Sequence, residues 1–116
     1  RSPVHEVSLM AQTLELAVQQ AQQQQATRIH RLKLRIGAQS GVVPEALRFA
    51  FEVSTPGTIA EGATLEIETV PVLCFCGSCQ REFEPKDWFY ECPDCQTLSY
   101  QVLAGREIEL STLEVS

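Results

Sequence analysis

The sequence has no surplus of basic residues, no long apolar segment and few aromatic side chains. Its 9 Lys and Arg stand against 15 Asp and Glu, which gives a formal net charge of −6 at pH 7. Nucleic acid is densely negative and its binding normally requires a basic surface, so this balance argues against a nucleic-acid-binding protein. The apolar runs are only a few residues long, and we therefore expect no segment that crosses a membrane.

Catalytic motifs are missing as well. The sequence contains no glycine-rich phosphate loop, no Gly-x-Ser-x-Gly nucleophile turn and no His-x3-His pair. A small hydrolase needs a catalytic base and a metal with an open coordination position, and the sequence offers neither. The sequence therefore contains no enzyme signature. Of the two histidines, His30 is expected to be structural, whereas His5 stands beside Glu6 at the head of the first helical segment.

The residues that are present suit one ordinary domain with a small satellite, since the chain has 116 residues and 44% of them are hydrophobic. The five cysteines are an odd number, which is poor material for a fully paired secreted disulfide scaffold. No signal peptide is visible either. These features predict a protein of the reducing cytoplasm.

Hydrophobic periodicity predicts a first helix at residues 6–25, with Ser8 as a candidate N-cap. Residues 1–4 do not share this periodicity and are expected to be a remnant outside the fold. The apolar stripe of the helix consists of Val7, Met10, Leu14, Ala17, Val18 and Ala21. Leu9 and Leu16 point the other way, either as scattered exposed side chains or as a contact ridge for a partner.

A second helix is predicted at residues 44–54. It begins at Pro44, whose missing N–H is not needed in a first helical turn. Its inner face is expected to contain Leu47, Ala50, Phe51 and Ser54, widened by Phe49 and Val53.

Three strands are predicted at residues 29–37, 64–70 and 106–115, where apolar and charged residues alternate. The inward residues are Leu32, Leu34, Ile36, Leu65, Ile67, Ile108 and Leu110. The outward residues are basic in the first strand (Arg31, Lys33, Arg35) and acidic in the other two (Glu66, Glu68, Glu107, Glu109). Opposite charges side by side across a sheet are favourable and like charges repel, so the basic strand should neighbour at least one acidic strand.

These elements predict an α+β fold in which two helices pack on a three-stranded mixed sheet. Residues 72–103 differ in character, since they hold every cysteine, the only Trp and both Tyr. We interpret them as an inserted zinc-ribbon domain, so that residues 5–71 and 104–116 together form the α/β domain.

Four of the five cysteines form two Cys-x2-Cys pairs, Cys76 with Cys79 and Cys92 with Cys95. A Cys-x2-Cys turn directs two thiolates at one point about 2.3 Å from a metal, and two such turns supply a tetrahedral set. A module of about 30 residues buries too little apolar surface to fold unaided, so metal binding must supply folding free energy. A closed four-thiolate zinc site is structural and not hydrolytic.

The spacing alone leaves three alternatives open, namely two disulfides, a thioredoxin-like redox pair, and iron in place of zinc. Cys74 is predicted to be a spare thiol, because the spacing of Cys74 and Cys76 is wrong for a metal-binding turn. The small core of the ribbon is expected to contain Trp88, Phe89 and Tyr90.

Together these residues resemble the HypA/HybF family of nickel-insertion accessory proteins for nickel–iron (NiFe) hydrogenase. The matching segments are Val4-His5-Glu6-Val7-Ser8-Leu9, Ile36-Gly37, residues 40–52, residues 62–67, the two Cys-x2-Cys pairs, Gly105-Arg106-Glu107 and Leu113-Glu114-Val115. They are spread over residues 5–116 and are specific in combination.

The resemblance implies a nickel metallochaperone and not an enzyme. Such a protein binds Ni(II) weakly at its N-terminus, here through His5 and Glu6, cooperates with the GTPase HypB and delivers nickel to the hydrogenase large-subunit precursor. Imidazole suits Ni(II), and a square-planar set can be completed by a terminal amine and a deprotonated backbone amide. The resemblance also implies a structural Zn(II) on the four paired cysteines. The sequence does not distinguish a monomer from a homodimer.

The sequence departs from the family pattern at several positions. Val4 stands where the family has Met and follows Pro3, so no terminal amine lies next to His5. Val43 stands where some relatives place a carboxylate ligand, and it cannot ligate. Gln residues follow both Cys pairs where some relatives have His, so we expect four sulfur ligands without His exchange. A competing hypothesis of another class is a zinc-ribbon interaction adaptor without nickel transfer.

Overall fold

The computed structural model describes residues 3–86, 90–99 and 101–116. Its elements in chain order are α1 (Pro3–Gln23), β1 (Ile29–Gly37), α2 (Pro44–Ser54), β2 (Thr64–Val70), β3 (Leu73–Cys76), β4 (Arg81–Phe83), β5 (Gln101–Ala104) and β6 (Ile108–Val115). The bounds of β1, α2 and β2 are those predicted. By contrast, α1 includes Pro3, because Pro is well suited to the first position of a helix, so Ser8 lies inside α1 and does not cap it.

The strand β1 is the centre of a three-stranded mixed sheet, with β2 parallel on one side and β6 antiparallel on the other. The predicted neighbourhood of basic and acidic strands is confirmed on both sides. The ion pairs join Arg31 to Glu66 (2.5 Å) and Glu114 (2.8 Å), Lys33 to Glu68 (3.1 Å), and Arg35 to Glu68 (3.6 Å) and Glu109 (2.7 Å). Lys33 lowers the pKa of the Glu68 carboxyl below its ordinary value of 4.5. The basic row is therefore paired within the sheet.

The two helices cover the other face of this sheet, and the core lies between the layers. On α2 the buried residues are Leu47, Ala50 and Phe51, as predicted. The prediction that Phe49 and Val53 widen this buried face is wrong, because Phe49 is 59% exposed and Val53 is 55% exposed. Neighbouring elements cover only the central stripe of α2. Neither helix of the described chain contains an apolar stretch long enough to cross a bilayer.

The buried stripe of α1 is rotated relative to the predicted one. It contains Met10, Leu14, Ala17 and Ala21 as expected, but Val7 is 38% exposed and Glu6 is fully buried instead. Leu9 packs against the core, whereas Leu16 is 45% exposed. On β6, Leu110 packs against the core, but Ile108 is 43% exposed because a groove beside α1 leaves the start of this edge strand open.

The segment between β2 and β6 forms a second three-stranded sheet in the order β4-β3-β5, with antiparallel pairing throughout. The fold is thus the predicted one, two helices on a mixed sheet with an inserted ribbon module. Tyr90 is half-buried, while Trp88 and Phe89, which were expected in the core of the module, lie outside the described residues.

Two glycines cross where the chain passes between the sheets. A Cβ atom on Gly37, the last residue of β1, would overlap the backbone of Gly105. Gly105 has a φ of +110°, and a Cβ atom there would press on Val72. The Gly37 N–H also donates to the Glu107 carbonyl at 2.7 Å. This close approach requires glycine at both positions and fixes where the module leaves the first sheet.

Leu34→Ala is expected to lower the free energy of unfolding by about 2–5 kcal/mol, because burial of this side chain leaves a cavity when it is truncated. Leu34 is 3% exposed on β1. Phe49→Ala is the matched control, since the side chain is larger but exposed, and its cost should stay within about 0.5 kcal/mol. Urea denaturation followed by circular dichroism measures both variants. Equal costs would show that the core face of β1 is misassigned.

Candidate metal centre

The four cysteines of the two Cys-x2-Cys pairs come together in the second sheet. Cys76 ends β3, and Cys79 lies in the turn that leads to β4. Cys92 and Cys95 lie in the segment between β4 and β5. All four sulfur atoms are within 4.8 Å of one another. The sequence pattern and the fold therefore converge on one cluster of thiols.

Both cysteine pairs adopt the same backbone turn. The N–H of Gln80 donates to the Cys76 carbonyl at 2.8 Å, and the N–H of Gln96 donates to the Cys92 carbonyl at 2.9 Å. Gln80 and Gln96 both have a left-handed backbone conformation, with φ of 57° and 60°. In the first turn, the Cys79 N–H also lies 3.4 Å from the Cys76 sulfur, to which it donates. This repeated turn directs the sulfurs of each pair to a common point.

The spacing of the sulfur atoms fits a single tetrahedral ion. Four thiolates about 2.3 Å from one ion stand about 3.8 Å apart. The sulfurs of Cys76 and Cys95 are 3.5 Å apart, and those of Cys79 and Cys92 are 4.0 Å apart. A disulfide bond has a length of about 2.05 Å, and all five cysteines are free thiols, which removes the disulfide alternative. A thioredoxin-like redox site has a single Cys-x2-Cys pair, whereas here two pairs meet at one point, which argues against that alternative.

The sulfurs differ in how readily they ionise. The Cys95 sulfur and the Thr97 hydroxyl are hydrogen-bonded at 3.3 Å, and this bond, together with a hydrogen bond to the Thr97 backbone, lowers the pKa of the Cys95 thiol to about 6. Cys79 is surrounded by the other thiols, and its hydrogen bond with Cys95, followed by burial, raises its pKa to about 12. Thiolates at this spacing repel one another, so all four ionise together only around a multivalent cation.

Cys74 lies two residues before Cys76 on β3 and is fully buried, but it does not belong to the four-sulfur group. Burial raises the pKa of its thiol. A thiol that stays protonated inside the sheet is a packing residue, which agrees with the prediction that Cys74 is spare.

Two contacts of the cluster were not visible in the sequence. Arg81, at the start of β4, forms an ion pair with Asp94 inside the second cysteine turn, and so links the two turns. Thr97 contacts the Cys95 sulfur. The sequence feature that these two residues have in common is their position, since Arg81 and Thr97 each stand two residues after the second cysteine of a pair.

The two candidate nickel residues are adjacent in sequence but differ in surroundings. His5 is exposed in the first turn of α1. Glu6 is fully buried, and its Oε2 accepts a hydrogen bond from the Val43 N–H at 3.1 Å. Val43 is the N-cap residue of α2 and makes no side-chain cap, so the Glu6 side chain supplies a hydrogen-bond acceptor at this helix N-terminus. The structure therefore does not bring the carboxylate to the surface beside the imidazole.

Comparison with known proteins agrees with this fold. Residues 4–115 match the family model described as hydrogenase/urease nickel incorporation, metallochaperone, hypA. The hydrogenase maturation factor HypA of Picosynechococcus sp. is 56% identical over 112 residues, which cover 97% of this chain and 99% of the relative. That of Geobacter sulfurreducens is 41% identical over 112 residues, with the same coverage.

The fold is similar to the solution structure of the Ni metallochaperone HypA from Helicobacter pylori, with a TM-score of 0.68 and 27% identity over 95% of this chain and 96% of that chain. A second solution structure of a HypA protein gives a TM-score of 0.71 and 26% identity over 97% of both chains. The family match extends over both sheets and the four-cysteine cluster. The chain therefore belongs to the HypA family of hydrogenase maturation factors, which are nickel metallochaperones.

Proposed function

We propose that this protein carries Ni(II) at the N-terminal end of α1 and delivers it to the large-subunit precursor of a NiFe hydrogenase, with the GTPase HypB as partner. Membership of a family of nickel metallochaperones supports the class of cargo. The observation that carries the proposal is the exposure of His5 in the first helical turn.

This position suits a nickel site that releases its ion. Ni(II) favours an imidazole nitrogen combined with deprotonated amide nitrogens. The backbone N–H groups of a first helical turn have no acceptor within the helix, so the N–H of His5 makes no hydrogen bond inside α1. Glu6 would contribute through its backbone, because its carboxylate is bound to the N-terminus of α2. A site of one exposed side chain and nearby backbone nitrogens lets nickel leave, which delivery requires.

We assign Zn(II) to the four-sulfur cluster as a structural ion. Zn(II) prefers four ligands in a tetrahedron and binds thiolates well, and the sulfur spacing fits that arrangement. Cys76 and Cys92 are buried, and four sulfurs leave no position for water or for an ion in transit. Zinc binding would supply folding free energy to the small second sheet. The zinc is retained, and the nickel is the cargo.

Nickel delivery is tested by complementation of a hydrogenase-producing bacterium that lacks its own HypA. At low external nickel, the unaltered chain should restore hydrogenase activity and the nickel content of the large subunit, whereas His5→Ala should restore neither. His30→Ala is the matched control, because His30 is the other histidine and hydrogen-bonds the Ser116 hydroxyl at 2.6 Å on the sheet. Full restoration by His5→Ala would favour an interaction adaptor without nickel transfer.

A further inference from the structure

The two edges of the first sheet differ in how they are covered. Among the described residues, β6 is paired with β1 alone, which leaves its outer edge open. At the opposite edge, Arg48 of α2 donates a hydrogen bond to the Leu65 carbonyl of β2 at 3.1 Å. Open backbone groups on an edge strand are a template for an added strand, and a side chain that occupies them opposes such addition. The edge of β6 is therefore the one suited to an incoming strand.

An apolar groove of about 190 Å³ runs beside the start of β6, between α1 and the sheet. Its apolar lining comes from Leu9 and Leu16 of α1, Leu34 and Ile36 of β1, and Ile108 of β6. Leu16 is 45% exposed and Ile108 is 43% exposed, so part of this apolar surface faces solvent. A strand added beside residues 108–110 of β6, before the register shift between Leu110 and Thr112, would place every second side chain against this groove.

The charges of the sheet indicate what such a strand carries. The outward rows alternate from acidic β2 to basic β1 to acidic β6, whose Glu109 and Glu114 pair with arginines of β1. β6 itself contains no basic residue. Opposite charges across neighbouring strands are favourable and like charges are not, so a fourth strand should be basic. A second copy of β6 or β2 would set Glu against Glu, which disfavours a second copy as the occupant.

We propose that β6 is a docking edge for an extended partner segment in which apolar and basic residues alternate. The backbone of the segment pairs with β6, its basic side chains face Glu109 and Glu114, and its apolar side chains enter the groove beside Leu16. His5 and Leu16 are eleven residues apart on α1, a helical spacing that puts them on one side of the helix. The docked segment therefore lies along the side that carries the candidate nickel residue. Only this link to nickel rests on the proposed function.

The chain itself supplies the sequence of a suitable probe. Residues 29–37, Ile-His-Arg-Leu-Lys-Leu-Arg-Ile-Gly, alternate apolar and basic side chains and already complement β6 on its inner edge. A fluorescent synthetic peptide of this sequence should bind the full chain saturably in an anisotropy titration. Binding should add hydrogen-exchange protection to β6 while β1 stays protected.

Variants of exposed residues locate the binding site without disturbing the core. Leu16→Ser and Ile108→Ser should each weaken peptide binding by about tenfold or more, as expected for truncation of a central contact. Phe49→Ser is the matched control on α2, and its effect should stay within about twofold. A peptide with its three basic residues changed to Glu should not bind.

Three results would overturn the docking edge: no peptide binding, equal binding by the Leu16→Ser and Ile108→Ser variants and the unaltered chain, or new protection at β2 in place of β6. The peptide titration is repeated with His5→Ala, which should bind the peptide as the unaltered chain does. Nickel binding by the same variant is measured separately, so a failure of the docking edge is distinguished from a failure of the nickel site.

Discussion

Cys76→Ser should lose the bound metal and the order of the second sheet while the α/β domain stays folded. Three thiolates leave an open coordination position and a site of much lower affinity, so zinc content should fall from about one ion per chain towards zero. The second sheet is small and has its own pairing, distinct from that of β2-β1-β6. Amide protection should therefore vanish in β3 and β5 and persist in β1, as native-state hydrogen exchange can measure.

The chain offers a closely matched control for this experiment. Cys74 lies on the same strand two residues away, and the exposed fractions of Cys74 and Cys76 are 0% and 2%. Cys74→Ser therefore places the same hydroxyl in the same sheet, but outside the four-sulfur group. Zinc content near one ion per chain is expected in that variant. Loss of zinc from Cys74→Ser with retention in Cys76→Ser would exchange the roles of the two residues.

The sheet could be predicted from the sequence because two independent patterns agree there. Alternation places Leu32 and Leu34 on one face of β1, and both are buried. The charges on the other face then demand acidic neighbours, which the ion pairs of Arg31 with Glu66 and Glu114 supply. The cysteine cluster could also be predicted from the sequence, because Cys-x2-Cys spacing is a local property of the chain.

The burial of Glu6 could not be predicted from the sequence in this way. A carboxylate is normally exposed, and the partner that makes its burial favourable is the N-terminus of α2, 37 residues along the chain. The rotation of α1 that buries Glu6 also exposes Val7. Helical periodicity locates the centre of an apolar stripe better than its edges. Val7 on α1 and Phe49 on α2 lie at such edges, and both are exposed although the pattern predicts them on the buried face.

His5→Ala is expected to reduce nickel binding to background, because it removes the imidazole on which the proposed site depends. Isothermal titration of the zinc-loaded chain at fixed pH measures the effect. His30→Ala should bind nickel as the unaltered chain does, since its ring is engaged with Ser116 on the sheet. Unchanged nickel affinity in His5→Ala would exclude the N-terminal site.

The residues before His5 should set a further, graded effect on nickel affinity. A chain in which one Met replaces residues 1–4 begins Met-His-Glu and places a terminal amine next to His5. An amide nitrogen binds Ni(II) only after it loses its proton, which is harder than for an amine, and Pro3 has no N–H proton to lose. The shortened chain should therefore bind nickel more tightly, by roughly tenfold or more, and the affinity of the present chain should rise more steeply with pH. Equal affinities at every pH would show that the terminal amine is not a ligand.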